Sequence, residues 1–305
     1  MLYWQSFNSV LILRCCIKHL IQILTENNVL SHFADPESHN EEENLELLMA
    51  ALMQIVTDVE VNELTYALHT ESINLLIVLF SVQMYLPRIA TKSVVYQTVF
   101  KEKCAIHSIK FMKCLLNNFI ELRPAPYESG SLILGLMSGV WNMINLGYGR
   151  EEEDSADRVL SQLSLLLILV LTNHCTNKVN PYREALFHCV DVQNSYDSGD
   201  HMVQGFKIEF QRLFDVLCAL QNEDQATLLL YLLVHKNPQF KNFVLSRTSD
   251  LHLLVVPVLR ILYTSASGER SSHHIYMALI ILLILSEDNL FNDAVHDIVS
   301  RRPAV

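Results

Sequence analysis

The sequence predicts an all-α protein and, within that class, an α-solenoid of HEAT/armadillo-like helical repeats, with an irregular helical bundle as the alternative. Three observations lead there. Of 305 residues only 8 are glycine and 8 are proline, about half the usual share, whereas a β-sandwich or barrel needs turn residues about every 8–12 positions. Half the residues are apolar and 18% are charged, too apolar for a disordered chain and enough to build a large core. Apolar residues recur at spacings of three and four along most of the chain, in stretches joined by short polar turns. No clean internal consensus marks the units of about 40–47 residues that such arrays use, so the array expectation rests on helix length and spacing. Residues 1–305 are expected to form one helical-repeat region, with a glycine-rich break at 124–155.

The elements follow in order. Val10, Leu13, Ile17, Leu20 and Leu24 form a stripe while Arg14, Lys18 and Gln22 fall on another face, the pattern of an amphipathic helix with one buried side. After an acidic loop, His39–Glu43, the pattern repeats in Leu45, Leu48, Leu52, Ile55, Val56 and Val59. Thr70–Leu86 reads as a more deeply buried helix stopped at Pro87. Cys104–Leu122 reads as another, ended before Pro124 and Pro126 because a residue preceding proline is pushed out of the α region. Gly130, Gly135, Gly139, Gly147 and Gly149 lie close together, and the segment is expected to be a connector rather than a close helix–helix contact. Farther on, Asp224–His235 is helical, and Asn237-Pro238 supplies an N-cap followed by proline at the first helical position. A short helix runs to about Leu245, Ser249 or Asp250 caps the next, and Pro257 should kink or break that one before Tyr263.

Three apolar runs, Leu75–Phe80, Leu165–Leu171 and Ile275–Leu285, raise the question of membrane insertion. The last is the longest, yet as a helix it spans only roughly 16 Å against a hydrocarbon thickness of about 30 Å. It is expected to be a helix buried on all sides, and an integral membrane protein is kept as the second functional reading.

The net charge of −11 argues against nucleic acid, whose binding depends on Lys and Arg. That charge is unevenly spread. Residues 31–71 carry ten acidic groups and no Lys or Arg, whereas 88–123 hold Arg88, Lys92, Lys101, Lys103, Lys110, Lys113 and Arg123 against only Glu102 and Glu121. Those seven cations are the candidate patch for an anionic membrane or an acidic partner; a solvated helix face is the plainer reading. Seven scattered cysteines, Cys15, Cys16, Cys114, Cys175 and Cys218 among them, read as buried free thiols of a reducing compartment. No signal-peptide pattern opens the chain.

Chemistry is sparse. Phosphate-loop, dinucleotide, zinc-protease and nucleophile-elbow motifs do not occur. Cys104 and His107 share a helix face, but no second ligand pair with zinc spacing stands nearby. His273-His274 is expected at a helix start or on turn carbonyls, and the acidic runs Glu41–Glu43 and Glu151–Asp154 as solvated loops. No catalytic, cofactor or metal site is expected, and an enzyme is the least supported class.

Asn180-Pro181-Tyr182-Arg183, the string Asp224–Tyr231 and the string Ser272–Leu285 resemble the dymeclin family. Weaker likeness extends to Trp4-Gln5, Leu52–Asp58 and the Gly135–Gly139 stretch, so that it covers nearly the whole chain. The resemblance implies a cytosolic helical-repeat scaffold, without enzymatic activity, associated peripherally with the Golgi. Such a protein would support Golgi organisation and secretory vesicle trafficking through protein partners of that machinery; a helical-repeat binding module in another cytosolic pathway is the alternative beside the integral membrane protein. Family members open with a Met-Gly start suited to myristoylation and run on well past Ile298, so this chain, starting Met1-Leu2, is expected to be a piece, short isoform or incomplete gene model without that anchor. An array cut short in this way should leave apolar faces uncovered and aggregate in isolation.

Overall fold

The computed structural model describes residues 2–34, 40–81, 93–126, 158–173, 179–193, 205–265 and 272–300. The described residues are overwhelmingly helical, as low glycine and proline content and helical spacing foretell. They fall into two compact units, Met1–Arg183 and Glu184–Val305.

The first unit is organised around one helix. Its elements are α1 (Leu2–Ile23), α2 (Glu26–Leu30), α3 (Glu41–Asp58), α4 (Tyr66–Phe80), α5 (Val94–Thr98), α6 (Glu102–Ala105), α7 (Ser108–Glu121), α8 (Val159–Asn173) and the first turn of α9 (Pro181–Phe187). Every residue of α4 is buried, because α1, α3 and α8 pack around it while α7 packs on α3 and α8. A helix buried on all sides must satisfy its own polar groups. Thr70 and Ser72 do so by donating back to Tyr66 O and Leu68 O. A turn built on Asn62 starts α4: its Oδ1 accepts from Leu64 N and Thr65 N. α7 shows the amphipathic pattern plainly, with Phe111, Met112, Leu115, Leu116 and Phe119 inward. It ends at Leu122 in the left-handed region (φ 47°) just ahead of Pro124.

The second unit holds the rest of α9, a two-residue parallel pair β1 (Val190–Asp191) and β2 (Lys207–Ile208), then α10 (Phe210–Ala219), α11 (Asp224–Lys236), α12 (Pro238–Ser246), α13 (Leu251–Ser265), α14 (Ser272–Ser286) and α15 (Asn289–Ser300). The strand pair was not foreseen. Gly205 permits it: a Cβ there would stand 1.9 Å from His188 O, so only glycine lets the two segments approach this closely. Phe210, Phe214, Phe240 and Phe243 form an aromatic cluster with ring centroids 5.2–6.3 Å apart. α14 packs on α11 and α13, and α15 on α13 and α14.

Several expectations need correction. Arg14 does not lie on a polar face: the buried stripe of α1 is Phe7, Val10, Arg14 and Ile17, and Leu13 is exposed. Cys15 and Cys16 are consequently exposed rather than buried. The deep helix starts at Tyr66, ahead of Thr70, and is described to Phe80, while the expected end at Leu86 before Pro87 lies outside the described residues. Cys104–Leu122 divides into α6 and α7 at Ile106-His107, and Pro257 is accommodated within α13 without ending it. α14 is not buried all round either: His274, Ala278, Ile281 and Leu285 face inward while Tyr276, Leu279 and Leu283 are exposed. The glycine-rich stretch, Glu151–Asp154 and Cys175 lie outside the described residues.

Candidate functional site

The basic segment meets the acidic one. Lys101 Nζ stands 2.5 Å from Glu42 Oε2, Lys103 Nζ 2.9 Å from Glu43 Oε1, and Lys110 Nζ 2.6 Å from Asp58 Oδ1. The acidic N-terminal turn of α3 favours anions through its own dipole, and α6 brings the lysines to it. Both carboxyls facing Lys103 and Lys110 are held below their usual range, Glu43 by its hydrogen bond from Lys103 and Asp58 by its hydrogen bond from Lys110. Glu46, on the same helix but buried, accepts from Lys103 N at 2.9 Å. Arg123 pairs with Glu121 and donates to Val61 O. Lys113 is exposed and makes no ion pair among the described residues. Arg88 and Lys92 lie outside the described residues. Much of the candidate patch is therefore spent in holding α3 against α6 and α7. These contacts are exposed and weaken with salt.

The second polar cluster joins α11 to α14. His274 Nδ1 donates to Asp224 Oδ1 at 2.8 Å, and His274 Nε2 lies 2.9 Å from Thr227 Oγ1. A carboxylate, an imidazole and a hydroxyl in line is the arrangement of nucleophilic catalysis, and here it does not serve that chemistry. Thr227 has no accessible surface, His274 has almost none, and the threonine hydroxyl also contacts Gln221 O and Glu223 O at 3.2 and 3.3 Å. A nucleophile must reach its substrate, and this oxygen is walled in. The cluster clips the start of α14 onto the start of α11. Above it, Asp224, Gln225, Leu228, His273, Tyr276 and Met277 line an open groove of about 460 Å³.

The third cluster lies in the interior of the first unit. Arg14 Nε donates to Glu71 Oε2 at 2.5 Å and Nη2 to Oε1 at 3.4 Å, the two-pronged geometry that matches guanidinium to carboxylate. Burial pushes the Glu71 carboxyl up, and the Arg14 charge opposes that rise. Close by in sequence, His69 is fully buried, and burial takes it down to about 4. Neither of its ring nitrogens makes a hydrogen bond of normal geometry.

Among the thiols, burial pushes Cys104, Cys189 and Cys218 up to about 12, so they are inert. The Cys104 thiol donates to Glu46 O, and His107 turns instead to Gln54, so the two do not converge on a metal. No grouping of three His, Cys, Asp or Glu side chains among the described residues could hold one. No single described helix is long and apolar enough to cross a membrane; α14 and the start of α15 reach the length only together, and they are bent by 103°.

The strings that carried the resemblance are the joints of this fold. Asn180 Oδ1 accepts from Tyr182 N and Arg183 N, its Nδ2 donates to Leu171 O, and Arg183 Nε donates to Thr172 O. The Tyr182 hydroxyl, wholly buried, reaches Val99 O and Cys104 O at 3.1 and 3.2 Å. Residues 1–303 match the family described as Dymeclin, Dyggve-Melchior-Clausen syndrome protein. The chain belongs to the dymeclin family. Mouse (Mus musculus) dymeclin is 36% identical over 323 residues, covering 98% of this chain and 48% of the mouse protein. Chicken (Gallus gallus) dymeclin is 36% identical over 321 residues, with 97% and 48% covered. Dymeclin of Dictyostelium discoideum is 27% identical over 329 residues, covering 96% of this chain and 34% of that protein. The chain thus spans about half the length of the animal dymeclins it matches. No solved structure matches it significantly.

Proposed function

We propose that this dymeclin-family chain is a non-enzymatic scaffold of HEAT/armadillo-like helical repeats, held peripherally on Golgi membranes from the cytoplasm. In this reading it supports Golgi organisation and secretory vesicle trafficking by binding protein partners of that machinery. Family membership supports the reading. The observation that carries it is the two-sidedness of the outer helices. α13 keeps Leu251, Leu254, Val258 and Ile261 inward and leaves Leu253, Val256, Leu259 and Tyr263 exposed; α14 does likewise. Helices with a second apolar stripe are made to be covered twice, once by their own unit and once by something else. Polar clusters, meanwhile, are consumed in joining helices.

The basic segment enters this reading only through charge left over after internal pairing, with Lys113 the clearest case. Reversing Lys101, Lys103 or Lys110 would set like charges against Glu42, Glu43 and Asp58 and confuse binding with stability, whereas Lys113→Glu leaves those pairs intact. If the patch faces an anionic membrane or partner, Lys113→Glu weakens that association and leaves melting unchanged.

Fractionation of the expressed chain beside a Golgi marker tests the whole reading. High salt, alkaline carbonate and hydroxylamine washes separate surface attachment from insertion. The expected result is co-fractionation with the marker and release by at least one wash. Retention through all three would favour an integral membrane protein, and absence from marker-containing fractions would remove the Golgi.

A further inference from the structure

We propose that the outward face of α1 lies against a lipid surface and that its two adjacent thiols, Cys15 and Cys16, are S-acylated with long-chain fatty acids. The inference deepens the peripheral-membrane reading above and rests on it for the location of the acyl donor. Four observations meet on this helix. Because Arg14 is pulled inward onto Glu71, the helix is turned so that both cysteines face out. They straddle the line through Ile12 and Ile23, each 61% exposed. From Leu2 to Leu24 the sequence contains no Asp or Glu, in a chain of net charge −11; with Arg14 buried, Lys18 and His19 are its remaining ionisable side chains apart from the thiols and Tyr3. Trp4, 55% exposed and stacked on Phe7 at 5.3 Å, adds an aromatic ring of the kind favoured at a membrane interface.

The same helix argues against other roles for a cysteine pair. Neighbouring helical positions point about 100° apart, so the two sulfurs cannot close a disulfide of normal geometry without unwinding the helix. Burial makes Cys104, Cys189 and Cys218 inert and also raises the half-buried Cys114, which leaves these two as the exposed thiols among the described cysteines. Cysteines on an amphipathic helix at a membrane are acceptors of palmitoyl-type groups. In the transfer, the cysteine sulfur, having given up its proton, attacks the thioester carbonyl of a long-chain acyl-coenzyme A. The new C–S bond to the protein forms as the C–S bond to coenzyme A breaks, and coenzyme A leaves as a thiol carrying a proton. No oxidant or reductant is needed. Two adjacent acceptors matter because one acyl chain gives only reversible binding, whereas two hold a protein on the bilayer.

The test is hydroxylamine-dependent exchange of acyl groups for a mass tag, on the full chain expressed in eukaryotic cells, with membrane flotation run in parallel. The expected pattern is two tags on the natural chain, one on Cys15→Ser and on Cys16→Ser, and none on the double variant, whose membrane-bound fraction falls about tenfold or more. Both positions are exposed, so an unchanged thermal melt certifies that the double variant folds. No hydroxylamine-dependent tag, or tags that persist in the double variant, overturns the proposal. An untagged chain on Golgi membranes overturns acylation and leaves the scaffold reading standing. Tags at Cys15 and Cys16 on a chain bound to other membranes support acylation and remove the Golgi.

Discussion

Two asparagines do the same work at two corners of the chain. Asn180 and Asn237 each precede a proline, each caps the following helix through Oδ1, and each sends Nδ2 back to carbonyls at the end of an earlier segment: Leu171 O for Asn180, Leu186 O and Cys189 O for Asn237. The capping half was legible in the Asn-Pro dipeptide, since proline at the first helical position needs no partner for a missing N–H. The other half was not, because it depends on which carbonyls the fold brings within reach. Asn237→Ala is expected to cost about 2–3 kcal/mol, combining a lost cap with buried carbonyls left unpaired; chemical denaturation would measure it, and a loss near zero would mean water replaces the amide. His69 makes a second prediction at this scale. Its pKa is depressed in the folded protein, so the folded state binds fewer protons than the unfolded one. Its contribution is fully present above about pH 6.5 and is lost as pH falls toward about 4. That loss amounts to about 3 kcal/mol. His69→Leu should flatten the decline of melting temperature over that window, and an unaltered decline would place its origin elsewhere.

At the scale of elements, α1 shows how one long-range contact sets the rotation of a helix. By hydropathy, Arg14 belongs outside and Leu13 inside, and the sequence offers two apolar stripes that could face the core equally well. The carboxylate of Glu71, on a helix buried along its whole length, removes the choice: a charge there without a partner is far costlier than an exposed leucine. Breaking the pair with Arg14→Met should destabilise the first unit by about 3–5 kcal/mol, while Arg14→Met with Glu71→Met should recover most of that loss. Equilibrium unfolding of the two variants decides the matter; a double variant as unstable as the single one would mean the pair is not what sets the register. α14 makes the complementary point. Its sequence is apolar on every side, which reads as burial on every side, yet only the His274, Ala278, Ile281 and Leu285 stripe is covered. Periodicity carries no information about a face when both faces look alike.

On the scale of the whole molecule, charge and exposed apolar surface pull in different directions. The acidic residues of α3 and the basic residues that follow α5 lie far apart in sequence, yet Lys101, Lys103 and Lys110 pair with Glu42, Glu43 and Asp58 within the first unit. The exposed apolar residues of α13 and α14 have no such internal answer among the described residues. The purified chain should therefore self-associate with rising concentration, and Tyr276→Ser with Leu279→Gln and Leu283→Gln should suppress this without lowering the melting temperature. Light scattering across a concentration series reads the outcome; a monodisperse natural chain would mean these stripes are too small or too scattered to associate. The helical class, the positions of most helices and the absence of common catalytic motifs were settled by the sequence alone, because composition and 3–4 spacing act locally and report each helix by itself. Which stripe of α1 turned inward, which cysteines reached solvent, what the His273-His274 pair was for and how the opposed charges were spent were decided only by tertiary structure. Each of those depends on a partner more than forty residues away, and nothing in the spacing around Arg14 or His274 names Glu71 or Asp224.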